Sequence, residues 1–276
     1  MSALDSIYIS PLDSCNLNCK YCYTKKSTST LSSDQILDFI KKYQDYLKNC
    51  SHDFLGALNV ATHSQRQKNY DKVLSLKSVI FCGGEVFLLP MFTNLVNTLL
   101  DQNIFISIIT NGTIDKLDEI HTPHNCQLIV SFDGPEPIHD HNRGTGNFAK
   151  SKSFVHKALN LGFPIEIFYL ITSESYPFKD QLNIFDQHIT YLTDRLGSLS
   201  PEQIRNIRQN YPVYPPKNFG CNQLSLQSDG HFYGCCETKK SIGSLFDPLD
   251  QIISNYNHLV NKFPKCNDPE FHCDLT

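Results

Sequence analysis

Apolar, β-rich runs alternate with helical patterns along most of this 276-residue chain. That alternation restricts it to repeated β-α units on a parallel sheet. Strands are expected over residues 7–12, 78–82, 104–109, 127–132 and 165–171. Helices are expected over 33–47, capped by Ser32 or Ser33, over 91–101, and over 148–161, capped by Asn147. Residues 188–193 and 201–210 supply a sixth strand and helix. The stretch 51–76 exceeds what a helix-to-strand link needs and reads as an inserted helix or a cover. At Tyr211-Pro212-Val213-Tyr214-Pro215-Pro216 the composition changes to that of a linker. Beyond it, residues 223–227 and 231–233 flank the turn Ser228-Asp229-Gly230 as a hairpin, and a helix follows over 249–263. The expected fold is therefore α/β, with a main domain over residues 1–210 and a small hairpin-and-helix module over 211–276.

Eleven cysteines are many for such a chain, and eight of them fall in two groups, three within residues 15–22 and five within 221–273. In a reducing compartment such usage points to metal rather than disulfides. Cys15, Cys19 and Cys22 are spaced C-x3-C-x2-C just after the first strand. They therefore sit at a strand's C-terminal end, where α/β sheets and barrels place their chemistry. A structural zinc or a closed iron–sulfur cluster takes four protein ligands. Three thiolates on a cubane leave one iron open to a ligand that is not protein; a partly open zinc site and three unrelated thiols are the alternatives. Cys50, Cys82 and Cys126 stand alone and read as small buried residues. A net charge of −4 disfavours a polyanionic partner such as nucleic acid. No apolar run approaches membrane-spanning length, and Met1-Ser2-Ala3-Leu4-Asp5 lacks a basic and apolar leader, so a cytoplasmic protein is expected.

Other polar groups fall at the ends of successive strands. Gly83-Gly84-Glu85 follows the second strand; two glycines permit a close backbone approach and a carboxylate can accept from an ammonium group. Thr110-Asn111-Gly112-Thr113 ends the third strand, and Ser131-Phe132-Asp133-Gly134 ends the fourth. Each could be a plain turn, but together they mark one edge of the sheet as a shared pocket. Arg143 offers a planar fork suited to a carboxylate. At the other end, Cys221 and Cys235 are brought together across the hairpin, with Gly230 between them, and Cys266 and Cys273 complete four. Cys236 adjoins Cys235, so on a strand the two point oppositely and only one serves. A structural zinc site with four cysteines is the alternative.

In order and context these motifs resemble the radical S-adenosylmethionine (radical SAM) enzymes. Cys15-Asn16-Leu17-Asn18-Cys19-Lys20-Tyr21-Cys22 is similar to their cysteine loop, with the aromatic Tyr21 placed to pack on the adenine. Gly83-Gly84-Glu85 is similar to the GGE motif that holds the amino group of SAM, although Val86 stands where proline is usual. The stretch from Ser131 to Gly144 resembles the SFDGP…HD…RG segment of members with a SPASM or twitch extension. The late Gly-x4-Cys is similar to the opening of those modules, and the C-x2-C-x5-C-x3-C run of a full SPASM module is absent. The resemblance implies a partial (β/α)6 TIM-like barrel followed by a twitch-like module. It implies a [4Fe–4S] cluster on Cys15, Cys19 and Cys22, and an auxiliary [4Fe–4S] cluster on Cys221, Cys235, Cys266 and Cys273. SAM would be contacted by Tyr21, Gly83, Gly84, Glu85 and Asn111, with Ser131 and Asp133 near the ribose and Arg143 at the methionine carboxylate. An electron from flavodoxin or ferredoxin would cleave SAM to a 5′-deoxyadenosyl radical that abstracts hydrogen from substrate. The HD…RG stretch favours a peptide, and the lack of a leader-binding domain before the first strand weighs against one. A small-molecule dehydrogenase or epimerase is the other enzymatic reading, and a non-catalytic iron–sulfur or zinc protein is the reading of a different class.

Overall fold

A computed structural model describes residues 4–22, 24–57, 75–181, 188–193, 198–214, 223–234 and 240–262; side chains in 50–57, 188–193, 213–214 and 260–262 lie outside the description. The strands are β1 (Ser6–Ser10), β2 (Ser78–Phe81), β3 (Phe105–Thr110), β4 (Cys126–Phe132), β5 (Ile165–Ile171), β6 (His188–Thr193), β7 (Val213–Tyr214), β8 (Leu224–Gln227), β9 (His231–Tyr233) and β10 (Gly243–Ser244). The helices are α1 (Ser33–Ala57), α2 (Phe92–Leu100), α3 (Glu136–Arg143), α4 (Asn147–Asn160), α5 (Pro201–Asn210) and α6 (Leu249–Lys262). The ten strands of the described residues form one sheet in the order β10-β9-β8-β1-β2-β3-β4-β5-β6-β7, whose two end strands do not pair with each other. Pairing is parallel from β8 through β7, so β1 to β5 all end at the same edge.

The register separates two faces. Ile9 pairs with Phe81, Phe81 with Ile108, Ile108 with Leu128, and Leu128 with Ile165. These residues and their period-two neighbours Ile7, Val79, Ile106, Val130 and Ile167 are buried in one apolar core. That continuity is what a parallel sheet covered by helices requires. The opposite face is mixed: Ser107 Oγ donates to Gln127 Oε1 at 3.1 Å, and Gln127 Nε2 donates to Glu166 Oε2 at 3.2 Å. Half-buried Ile80, Ile109, Ser131 and Leu170 continue this face toward the strand ends. An incomplete barrel with a partly polar lumen results.

Local signals placed most elements within a residue or two. Ser32 is the cap of α1: its Oγ accepts from Gln35 N at 3.2 Å, and Gln35 Oε1 accepts from Ser32 N at 2.9 Å. Three expectations change. Asn147 is the first residue of α4 rather than its cap; Gly146, at φ +79°, precedes it, and Asn147 Nδ2 donates to Arg143 O at 2.8 Å. The motif stretch after β4 contains a helix, α3, because Glu136 and Pro137 suit its first turn, where an acidic side chain is favoured and a missing N–H costs nothing, and Asp140 anchors the turn beyond. Part of the proline-rich stretch is a strand: Val213 and Tyr214 pair with Tyr191 and Leu192, a two-residue edge strand between Pro212 and Pro215, which lack donors. Helix α1 runs on to Ala57, and the rest of the 51–76 stretch lies outside the described residues up to 74. The hairpin joins the main sheet: β8 lies parallel to β1, with Ile9 opposite Leu226, and Phe232 of β9 stacks on Phe39 of α1 at 5.0 Å between ring centroids. This covers the β1 edge that the barrel would otherwise expose.

Candidate functional site

The cysteine loop leaves β1 and is closed at its stem by Leu31 N donating to Pro11 O at 2.8 Å and by a bridge between Leu12 and Thr30. Inside it, Ser27 Oγ donates to Asp13 Oδ2 at 2.6 Å, and Lys26 Nζ bonds Leu17 O and, at 3.2 Å, Asn18 Oδ1. Cys15 and Cys19 are half-buried, Cys22 is exposed, and all three are free thiols. Burial raises the Cys15 thiol pKa, opposed by the Leu17 N–H; burial likewise raises that of Cys19, opposed by Arg143. Among the described residues no three Cys, His, Asp or Glu side chains are gathered tightly enough to share one metal ion. A cubane spreads its thiolates over separate irons, so an all-thiol loop suits it. Tyr21 is half-buried in the same loop.

Gly83 and Gly84 approach this loop directly. Gly84 N donates to Leu12 O and Glu85 N to Ser14 O, each at 2.9 Å. A Cβ at Gly84 would lie 2.5 Å from the Ser14 carbonyl carbon and 2.7 Å from Asp13 O, so only glycine allows the contact. Glu85 is 1% exposed. Its Oε1 accepts from Thr110 Oγ1 at 2.8 Å and Phe87 N at 3.3 Å, and its Oε2 accepts from Asn111 N at 2.9 Å. Burial raises its pKa, opposed by these donors and by Arg143. The carboxylate thus ties the end of β2 to the end of β3.

Helix α3 covers the other side. Lys20 N donates to Asn142 O at 2.9 Å, and Lys20 Nζ meets His141 Nε2, which docks α3 on the loop between Cys19 and Cys22. The structure brings Asp133 and Arg143 together: Nε and one Nη of the arginine both lie 2.8 Å from Asp133 Oδ1. Burial opposes the guanidinium charge, but Asp133 and the nearby Cys19 and Cys15 raise its pKa overall. Asp140 fixes the turn after α3, accepting from Gly146 N at 2.6 Å and Phe148 N at 2.8 Å. Ser131 is half-buried one position before Phe132 on β4. Two buried side chains nearby have no hydrogen-bond partner among the described residues: the Asn142 carboxamide and both ring nitrogens of His139. His139 is wedged between Phe132 and Phe148, and burial pulls its pKa down to about 4. An unpaired buried polar group costs about 1–3 kcal/mol, so a bound ligand or water that met the Asn142 amide would be favoured.

Sequence reasoning placed Cys15, Cys19, Cys22, Glu85, Asn111, Asp133 and Arg143 around one strand edge, and the structure gathers them there. It missed Asn16, Lys26 and Asn142, whose only sequence signal is a polar side chain inside or beside a motif. Cys221, Cys235, Cys236, Cys266 and Cys273 lie outside the described residues. Cys82 and Cys126 are buried, and burial pushes the Cys126 thiol up to about 12. A cleft of about 380 Å³ lies between Tyr176 and the α5 residues Glu202, Gln203, Arg205, Asn206 and Gln209; none of the strand-edge residues lines it. No helix among the described residues is long and apolar enough to cross a membrane.

Comparison with known proteins gives three findings. The family described as the radical SAM superfamily matches residues 9–175. The radical SAM cyclopropyl synthase TigE of Paramaledivibacter caminithermalis is 28% identical over 139 residues, 45% of this chain. The chain spans about a quarter of that relative's length, 26%. Among solved structures, Streptococcus suis SuiB bound to S-adenosylmethionine superposes with a TM-score of 0.68 at 14% identity, covering 95% of this chain and 68% of SuiB. The structure of anSMEcpe with bound AdoMet superposes with a TM-score of 0.66 at 17% identity, covering 93% and 79% of the two chains. At such identities the likeness is one of fold.

Proposed function

The chain belongs to the radical SAM superfamily, and from that premise we propose that it is a peptide- or protein-modifying radical SAM enzyme whose cofactors sit at the strand edge described above. The observation that carries the reading is the thiol loop Cys15–Cys19–Cys22, half-buried at its first two cysteines and clamped between the Gly84–Glu85 turn and α3. A [4Fe–4S] cluster and SAM bound there would supply, once reduced, the one-electron chemistry that removes a hydrogen atom from substrate.

In this reading Cys15, Cys19 and Cys22 would hold the cluster; thiols bind as thiolates, so loading it releases protons, and burial raises the thiol pKa of Cys15 and Cys19. Glu85 carries one acceptor position beyond its three donors and receives the SAM ammonium group beside Gly83 and Gly84. Arg143, oriented by Asp133 through two of its donors, turns its remaining donors to the carboxylate. Ser131 and Asp133 border the ribose, and Tyr21 packs on the adenine. The unpaired Asn142 amide fits a polar ligand at the same place. The partly polar lumen of the open barrel receives the substrate.

Support for a peptide comes from the neighbours. SuiB has been solved with its precursor peptide SuiA, and anSMEcpe with the Cp18Cys peptide. Residues 211–276 are proposed as a twitch-like module in which Cys221, Cys235, Cys266 and Cys273 hold an auxiliary [4Fe–4S] cluster. A flavodoxin or ferredoxin is the proposed reductant. The test is anaerobic reconstitution with iron and sulfide, then incubation with SAM and dithionite. Formation of 5′-deoxyadenosine by the wild type and none by Cys15→Ala is expected, with about eight irons per chain if both cubanes form. Normal cleavage in Cys15→Ala would sink the assignment, and about four irons with one zinc would remove the auxiliary cluster.

A further inference from the structure

Asn111 is held at both ends of its backbone: its N–H donates to Glu85 Oε2 at 2.9 Å, and its carbonyl accepts from Ser151 Oγ at 2.7 Å. It is 7% exposed. Its side-chain Oδ1 accepts from Thr113 N at 2.9 Å and from Thr113 Oγ1 at 2.6 Å. A backbone N–H can only donate, so this contact fixes which end of the carboxamide is oxygen. The Nδ2 end is therefore aimed at the cysteine loop, where it lies 3.0 Å from Asn16 Oδ1 and 3.8 Å from Cys15 Sγ. Asn16 Nδ2 donates in turn to Thr113 Oγ1 at 2.8 Å, so Asn16, Asn111 and Thr113 form a closed ring of hydrogen bonds. Cys15 Sγ has a second N–H beside it, that of Leu17 at 3.4 Å.

We propose that Asn111 is a positioning residue for the Cys15 thiolate, its carboxamide N–H bonding the sulfur and thereby raising the reduction potential of the cluster. The resemblance implies a SAM contact for Asn111; its carboxamide nitrogen faces the Cys15 thiol. The proposal rests on the reading that Cys15 is a cluster ligand. Hydrogen bonds to the sulfurs are among the determinants of iron–sulfur potentials, and outer partners tune a metal through its ligand. Donation withdraws electron density from the thiolate and so favours the reduced cluster. The ring supplies the preorganisation. With Oδ1 locked by Thr113, the amide cannot flip to present its oxygen to sulfur, and Asn16 links the loop to the end of β3.

The variant Asn111→Asp keeps the shape and replaces the donating nitrogen with an anionic oxygen facing Cys15. Reconstituted protein is titrated electrochemically, with the reduced cluster followed by its electron paramagnetic resonance signal. Asn111→Asp should titrate at a more negative potential than the wild type at equal iron content. Thr113→Val, which removes the hydroxyl and keeps the backbone donor, should shift it the same way by less. Coupling of the reduced cluster to exchangeable protons, compared in H2O and D2O, should weaken in Asn111→Asp. A wild-type potential in Asn111→Asp at full iron content overturns the proposal, as does a loss of the SAM-induced signal change with the potential unmoved. If Asn111→Asp takes up no iron, a wild-type potential in Thr113→Val overturns it. Failure of the underlying reading looks different, because the wild type itself would then show no reducible cluster.

Discussion

Replacing Gly84 with alanine tests whether the Gly-Gly-Glu turn acts first by holding the cysteine loop. The added Cβ would sit 2.5 Å from the Ser14 carbonyl carbon, where ordinary contact begins at 3.4 Å. The two backbones must separate by about 1 Å, which takes the 2.9 Å bonds Gly84 N to Leu12 O and Glu85 N to Ser14 O beyond hydrogen-bond range. Two main-chain bonds at about 0.5–1.5 kcal/mol each give about 1–3 kcal/mol. Displacing the buried Glu85 carboxylate from Thr110 and Asn111 adds about 1–3 kcal/mol, for a loss of about 2–6 kcal/mol. Gly84 is not among the positive-φ glycines, so the cost is contact and not backbone strain. Gly146→Ala is the complementary control, since φ is +79° there and nothing lies within 4 Å of the new Cβ. It should cost about 1 kcal/mol of strain and leave iron uptake unchanged. Urea denaturation of the iron-free protein, paired with iron content after reconstitution, reads both. A Gly84→Ala midpoint no lower than that of Gly146→Ala, with full iron uptake, would refute the argument.

Two other outcomes follow from the same geometry. His139 is neutral in the folded protein, with a pKa lowered from 6.5 to about 4 by burial and by Arg143, against Asp133 and Asp140. The unfolded chain binds this proton first, so stability present above pH 6.5 is lost as pH falls toward about 4, by about 3 kcal/mol from this residue. His139→Leu should flatten denaturation midpoints over that window, and an unchanged slope would assign the acid sensitivity elsewhere. Ser228 Oγ donates to Asp13 Oδ1 at 2.7 Å, linking the hairpin turn to the stem of the cysteine loop across 215 positions. Asp13→Asn should therefore cost about 1–3 kcal/mol and lower iron content, and Ser228→Ala should do the same by less; wild-type iron content in both would show that the link is idle.

Much of the fold was legible because its signals are local. The apolar periodicity of β5, the cap of α1 at Ser32, and the Ser228-Asp229-Gly230 turn each act within a few residues. Helix α3 escaped notice since its polar sequence, Glu136-Pro137-Ile138-His139-Asp140-His141-Asn142-Arg143, has no apolar stripe. Its burial comes from packing between the cysteine loop and α4. Asn147 looked like a cap because asparagine favours that position, yet Arg143 O offers its side chain a better partner across the turn.

By itself the sequence determined the thiol triplet, its position after an apolar strand, and the run of polar residues at later strand ends. Those are matters of spacing and period, which the chain carries locally. Only the tertiary structure decided what each polar group faces. Glu85 meets Thr110 and Asn111 because β2 and β3 are parallel and in register; Arg143 meets Asp133 because α3 folds back on β4. Gly84 is needed where the turn touches Ser14, and Asn111 reaches Cys15 across 96 positions. Such contacts depend on which strands become neighbours, and no local pattern specifies that.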